Sequence, residues 1–126
     1  NNHKRRFVQK KLIKKYNIKL NRLLTLIHPN SVIGSNVKIG FGSIINSGSI
    51  IEHDCLIGDY THVAPGSTLC GNVNIGSSCL IGANTTILPN LIIGNNCIIG
   101  AGSTLIDNIP DNSIVVGNPE IIIKKI

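Results

Sequence analysis

Thirteen aliphatic residues recur every six positions without an insertion: Ile33, Ile39, Ile45, Ile51, Ile57, Val63, Leu69, Ile75, Ile81, Ile87, Ile93, Ile99 and Leu105. A period of six matches neither the turn of an amphipathic helix nor the alternation of a plain strand. It is the period of a parallel β-helix, in which short strands stack coil on coil and inward side chains form ladders. β-Branched isoleucine suits such a pleated, closely stacked surface. With three hexads to a triangular coil, a coil takes roughly 18 residues, and residues 33–110 make about four and a third coils. One coil cannot enclose its own interior, so stability comes from neighbours and the open ends need covers.

Two further columns keep the same phase. Four positions after each aliphatic stand Val37, Ser43, Ser49, Cys55, Thr61, Ser67, Val73, Cys79, Thr85, Leu91, Cys97, Ser103 and Ile109. Most are small, as an inward position beside a tight corner requires. Three positions after each aliphatic, eleven of thirteen residues are Gly, Asn or Asp, the exceptions being Tyr60 and Ser78. Those residue types tolerate positive φ, so this column is the turn.

The composition agrees with an all-β solenoid. Aromatic residues are 3% and Met and Trp are absent, which leaves little material for a helical bundle or an aromatic-packed barrel. A length of 126 residues suits one compact domain. No apolar run reaches the roughly 18 residues of a membrane span, and no signal-peptide core is visible. Neither a membrane nor export is expected, and the cytoplasm is the expected compartment. Asn1 stands where an initiator methionine would, so the natural N-terminus is expected to lie upstream.

Charge divides the chain. Residues 1–22 hold nine Lys or Arg and no acid, whereas the remainder holds three bases and six acids. A basic arm of this kind raises nucleic-acid binding. Its only aromatics are Phe7 and Tyr16, and no recognition motif follows, so no nucleic-acid partner is expected. A surface helix over roughly 4–16 is predicted, with Phe7 or Val8, Leu12 and Tyr16 on one apolar face. Asn17 would stop it, an extended piece would run from Ile18 to His28, and Pro29 would hold His28 extended. The helix is a candidate cover for the first open end. The tail from Val115 to Ile126 is expected to return along a flank or into a partner subunit.

Of the cysteines, Cys55, Cys79 and Cys97 fall in the small corner column and read as buried small hydrophobes. Cys70 falls in another column and is expected to be more exposed. No Cys/His spacing supports a metal site, and the repeat explains the cysteines better than disulfides do. Among the histidines, His3 reads as solvated and His28 as structural. His53 and His62 differ, because they stand half a coil apart in a stretch that also holds Glu52, Asp54 and Asp59. His53 lies two positions after Ile51, where most coils carry Ser, Pro, Ala or Gly. An imidazole at such an outward corner can act as a general base near neutral pH. Asp54 or Glu52 can hold its tautomer, although Asp54 also fits a plain turn role. His62 is a candidate substrate contact. Gly71 lies 18 residues after His53, one coil above, and is the only glycine of its column; its N–H is a candidate oxyanion donor.

The stretches Leu26–Ser31, Ile51–Gly66, Ile81–Asn84 and Val116–Pro119 resemble the hexapeptide-repeat, left-handed β-helix acyltransferases. They resemble most the sugar acyltransferases of the sialic-acid and bacillosamine type, which acetylate an amino sugar on a nucleotide carrier. The resemblance covers about residues 26–123. It implies a left-handed helix, against the usual crossover rule, and a homotrimer with acetyl-CoA in the groove between subunits. It also implies His53 as catalytic base, Asp54 as its supporting acid, Gly71 as backbone donor and His62 as a second active-site histidine. Glu52 is placed with the substrate contacts. CoA is expected along Gly71, Gly82, Ala83, Gly100 and Ala101. Such relatives carry an N-terminal α/β domain that grips a uridine nucleotide. Residues 1–30 are read as a remnant of that domain, 31–117 as the β-helix and 118–126 as a tail. Lys4, Arg5 and Arg6 are candidate diphosphate contacts.

N-acetylation of a nucleotide-linked, UDP-type amino sugar is therefore the expected function. O-acetylation of a hydroxyl uses nearly the same base chemistry and remains open. A carbonic-anhydrase-like zinc site needs three histidines, and the solenoid holds two. A non-enzymatic scaffold would carry an unmarked repeat surface instead of a local His/acid cluster.

Overall fold

The computed structural model describes residues 2–16 and 24–126. Residues 18–23 of the extended segment predicted from Ile18 to His28 lie outside the described residues, as do the predicted stop at Asn17 and the side chains of Arg5, Leu12 and Tyr16. Two-residue strands alternate with tight turns from Leu26 onward and stack into three parallel sheets. The first face stacks Leu26–Ile27, Ile44–Ile45, His62–Val63, Leu80–Ile81, Ile98–Ile99 and Ser113–Val116. The second stacks Val32–Ile33, Ile50–Ile51, Thr68–Leu69, Thr86–Ile87 and Thr104–Leu105. The third stacks Lys38–Ile39, Leu56–Ile57, Asn74–Ile75 and Ile92–Ile93. Partners such as Ile44 and His62, Ile51 and Leu69, or Leu56 and Asn74 are 18 residues apart. This is the predicted parallel β-helix, with the predicted coil length.

The second residue of each two-residue strand points inward. From Ile45 to Leu105 these aliphatics are buried, whereas Ile33 and Ile39 at the open first end keep some exposure. Each enclosed side chain contributes about 1.5–3 kcal/mol relative to an exposed one. The small corner column is buried too, apart from the half-buried Val37 and Leu91, and its polar members are satisfied. Ser43 Oγ donates to Gly58 O at 2.7 Å, Thr61 Oγ1 to Gly76 O at 2.8 Å and Cys79 Sγ to Gly94 O at 3.0 Å. A small donor at the corner thus meets a carbonyl that the strand ladder leaves free.

The turn column is as predicted from Asn36 to Gly102: all twelve residues have positive φ, Tyr60 (56°) and Ser78 (61°) included. Asn108, expected to continue it, is absent from that set, and Asn112 takes the role at φ 60°. The last coil is two residues short: Ile93 bridges Ile109 and Ile98 pairs with Ile114, both 16 residues on. Asn108 instead accepts from Ile92 N through its side-chain oxygen at 2.8 Å.

The tail turns back on itself. Ile121–Lys125 pairs antiparallel with Ser113–Val116 and closes one edge of the first face. Helix α1 spans Asn2–Tyr16. Phe7 and Val8 are exposed, so that part of the predicted apolar face is not buried. At Arg6 the helix meets a corner of the second and third coils instead of covering the first end.

Candidate active site

The turns define three corners. Residues 35–36, 53–54, 71–72 and 89–90 form the one between the second and third faces. His53 and Asp54 stand there in the second coil, with Asn36 one coil below Asp54 and Gly71 one coil above His53. Asp54 takes the left-handed turn position (φ 61°), as Asn36 does at 57°. Side chains of these stacked residues therefore meet, and Asn36 Nδ2 donates to Asp54 Oδ1 at 2.7 Å. The other carboxylate oxygen, Oδ2, lies 2.9 Å from His53 Nδ1. The Asn36 bond first, and the His53 bond second, hold the Asp54 carboxyl below its ordinary value of 3.8. An ionised carboxylate only accepts, so His53 Nδ1 carries the proton and Nε2 presents a lone pair.

Nε2 faces the bare α-carbon of Gly71. A Cβ built on Gly71 would lie 2.6 Å from Nε2 and 2.7 Å from Cε1. The imidazole can keep this position only if residue 71 has no side chain. The Gly71 carbonyl accepts from Asn90 N at 3.1 Å, while its own N–H meets no acceptor among the described residues. A base and a free backbone donor thus sit side by side at an exposed corner: the side chains of His53 and Asp54 are 61% and 48% accessible. Glu52, one residue earlier, is exposed as well. Asn36 escaped the sequence reading because its turn role already accounted for it; the 18-residue offset from Asp54 was the available signal.

The other expected contacts lie elsewhere on the same chain. His62 opens a strand of the first face, half-buried between Ile44 and Leu80. Asn46 Oδ1 accepts from Ser47 N at 2.8 Å, which turns its amide nitrogen toward His62 Nε2 at 3.3 Å. Gly82, Ala83, Gly100 and Ala101 lie at or beside the corner between the first and second faces. The Gly82 and Gly100 amides are engaged, to Ile99 O at 2.9 Å and Val115 O at 2.8 Å. A Cβ on Gly82 would strike Ala101 N at 2.6 Å, so close stacking of the coils accounts for that glycine. The Ala83 and Ala101 amides meet no acceptor among the described residues and stay free to donate.

Arg6 donates to Ser78 Oγ at 2.9 Å and lies 5.9 Å from the centroid of the Tyr60 ring, at the third corner. Lys4 is exposed on the same helix. All four cysteines are thiols; Cys55, Cys79 and Cys97 are buried and Cys70 is half-buried. Among the described residues no three His, Cys, Asp or Glu side chains converge as a metal site, and no helix is long and apolar enough to cross a membrane.

Solved structures share this architecture. The acetyltransferase domain of PglB from Neisseria gonorrhoeae is 28% identical, with a TM-score of 0.78 over 98% of this chain and 67% of that one. PerB from Caulobacter crescentus, in complex with CoA and GDP-perosamine, is 28% identical, with a TM-score of 0.82 over 98% and 66%. WeeI from Acinetobacter baumannii is 30% identical, with a TM-score of 0.76 over 97% and 67%. The chain spans about two thirds of the length of these proteins. No curated protein matches it. The family described as bacterial transferase hexapeptide (six repeats) matches residues 36–71 and again 72–107, more than half of the sequence. With stacked hexad coils along that whole stretch, the chain belongs to the bacterial transferase hexapeptide family.

Proposed function

We propose that this chain transfers the acetyl group of acetyl-CoA to the amino group of a nucleotide-linked amino sugar. The observation that carries the reading is the corner at which Asn36 and Asp54 orient His53 and leave Nε2 exposed over Gly71. The neutral acceptor amine attacks the thioester carbon as its proton passes to Nε2. The Gly71 N–H stabilises the developing oxyanion. Collapse of the tetrahedral intermediate expels the CoA thiolate, which takes the proton back from His53. The kinship with PglB and PerB supports an acetyl donor and an amino-sugar acceptor. Uridine is the expected carrier, and the guanosine carrier bound to PerB is its competitor.

Assembly is part of the proposal. His53 and the free Ala83 and Ala101 amides occupy different corners, and His62 occupies a face. A homotrimer would bring one subunit's corner against another's face and gather them around one substrate pair. The outward side chains of the first face suit such contact: Leu26, Ile44, Leu80, Ile98 and Ile114 form an aliphatic stripe broken by His62.

The test is thiol release from acetyl-CoA with UDP-, dTDP- and GDP-linked amino sugars, with the product identified by mass and amide formation. Turnover of one amino sugar, lowered about 10²–10⁴-fold by His53→Ala, supports the proposal. Turnover of hydroxyl acceptors alone would reassign it to O-acetylation. Failure to bind acetyl-CoA would refute it.

A further inference from the structure

Twelve successive turn positions have positive φ, and ten of them carry Gly, Asn or Asp. The two that do not, Tyr60 and Ser78, are stacked one above the other in adjacent coils. An aromatic residue in the left-handed region is disfavoured on its own, and an outlier of that kind invites a functional explanation. Both residues are buried, at 6% and 3% exposure, although they sit at an outer corner. Both are also the residues that Arg6 engages: its guanidinium donates to Ser78 Oγ at 2.9 Å and lies 5.9 Å from the Tyr60 ring. The Arg6 Nε is shut off from solvent as well.

We propose that Tyr60 and Ser78 form a dock for Arg6, which makes Arg6 a positioning residue that fixes the basic helix for acceptor binding. Height is the reason for the link to function. Tyr60 shares the second coil with His53, and Ser78 shares the third with Gly71, so the dock holds α1 level with the catalytic pair. The helix carries exposed Lys10, Lys11 and Lys14, a cationic element of the sign that an acceptor's phosphates require. This second half of the inference rests on the nucleotide-sugar reading. The dock itself does not.

The experiment compares Arg6→Ala, Tyr60→Asn, Tyr60→Phe and the Arg6→Ala/Tyr60→Asn pair by amide hydrogen exchange over residues 2–16, melting temperature and acceptor kinetics. Asn suits the left-handed turn but offers no ring, so Tyr60→Asn should leave the solenoid's melting temperature unchanged or raised. It should speed α1 exchange about tenfold. The expected KM for the nucleotide sugar rises about fivefold with kcat within about twofold. Arg6→Ala should match it, the pair should add nothing further, and Tyr60→Phe, which keeps the ring face, should behave as wild type. Unchanged α1 exchange in Arg6→Ala and Tyr60→Asn would overturn the dock. Faster exchange with an unchanged KM would overturn its role in acceptor binding. A KM effect of Arg6→Ala that Tyr60→Asn fails to reproduce would make Arg6 a direct phosphate ligand instead. If wild type turns over no nucleotide sugar, the proposed reaction fails while exchange still decides the dock.

Discussion

Under the proposed acetyl transfer, replacing Gly71 with alanine separates catalysis from stability. The new Cβ would lie 2.6 Å from His53 Nε2, about 0.8 Å inside the 3.4 Å of ordinary contact. Its neighbours are the end of a side chain that is 61% accessible, not a backbone. The ring can swing away, giving up only a solvent-screened surface bond to Asp54. Gly71 is not among the positive-φ glycines, so alanine returns about 0.4–1 kcal/mol through the unfolded chain. Melting temperature should thus stay within a few degrees of wild type. Activity should not: a displacement of about 1 Å at a catalytic group costs about 10²-fold. Gly58→Ala is the contrasting variant, because its Cβ would meet the Gly76 carbonyl carbon at 2.6 Å and Ser77 N at 2.7 Å. It should lose about 1–3 kcal/mol or more by overpacking. The assay is initial-rate thiol release from acetyl-CoA beside thermal unfolding, repeated for Gly71→Ala in a His53→Ala background, where the clash is gone. Full activity in Gly71→Ala, or a stability loss equal to that of Gly58→Ala, would refute the argument.

Other consequences follow from the same geometry. Asp54→Asn keeps a side chain beside Nδ1 but lacks the charge that fixes the tautomer, and should lower kcat by about tenfold or more. Because Asn36 and His53 hold the Asp54 carboxyl low, its stabilising effect is fully present above pH 3.8 and fades as pH falls through the lower folded value. Unfolding curves of wild type and Asp54→Asn should therefore converge below pH 3.8. Asn84 holds a φ of 54°, so Asn84→Ala should cost about 1–2 kcal/mol and Asn84→Gly far less, as denaturant titration would show. A bulky thiol reagent should modify Cys70 alone in the native state, slowly, because burial and the nearby Glu52 push that thiol up. Four thiols should react after unfolding; rapid modification of a second native thiol would contradict the buried corner column.

The solenoid was legible because each of its requirements is periodic. An inward aliphatic, a small corner residue and a residue tolerant of positive φ recur in phase, so thirteen weak signals support one register. Legibility ended where the period did. Nothing in the spacing shows that two residues are missing from the last coil, so Asn108 kept the turn label that belongs to Asn112. The helix was partly legible. Its span follows from the three- and four-residue spacing of Phe7 or Val8, Leu12 and Tyr16, but its placement depends on a single arginine and two corner residues far along the chain. Tyr60 and Ser78 did stand out as the exceptions in the turn column. Reading an exception as a contact requires knowing what lies outside the corner, which periodicity leaves open.

The site shows the same division at smaller scale. In a solenoid, residues 18 apart touch, so Asn36, Asp54 and the pair His53 and Gly71 are one cluster written as three separate points in the chain. His53 and Gly71 could be joined from sequence because each is unusual in its column. Asn36 could not, because asparagine at a turn needs no further explanation, although its amide does most to keep Asp54 ionised. The bond it makes also dictates which nitrogen of His53 is basic, since a neutral carboxyl would leave the tautomer free. Asn36→Asp would put a second carboxylate against Asp54 in place of a donor, and like charges favour protonation of one of the pair. The expected result is a rate that falls at a higher pH than in wild type, while Asn36→Ser, which keeps a donor, holds closer to the wild-type profile. Identical pH profiles for all three would mean that His53 is oriented by Asp54 without help from the coil below.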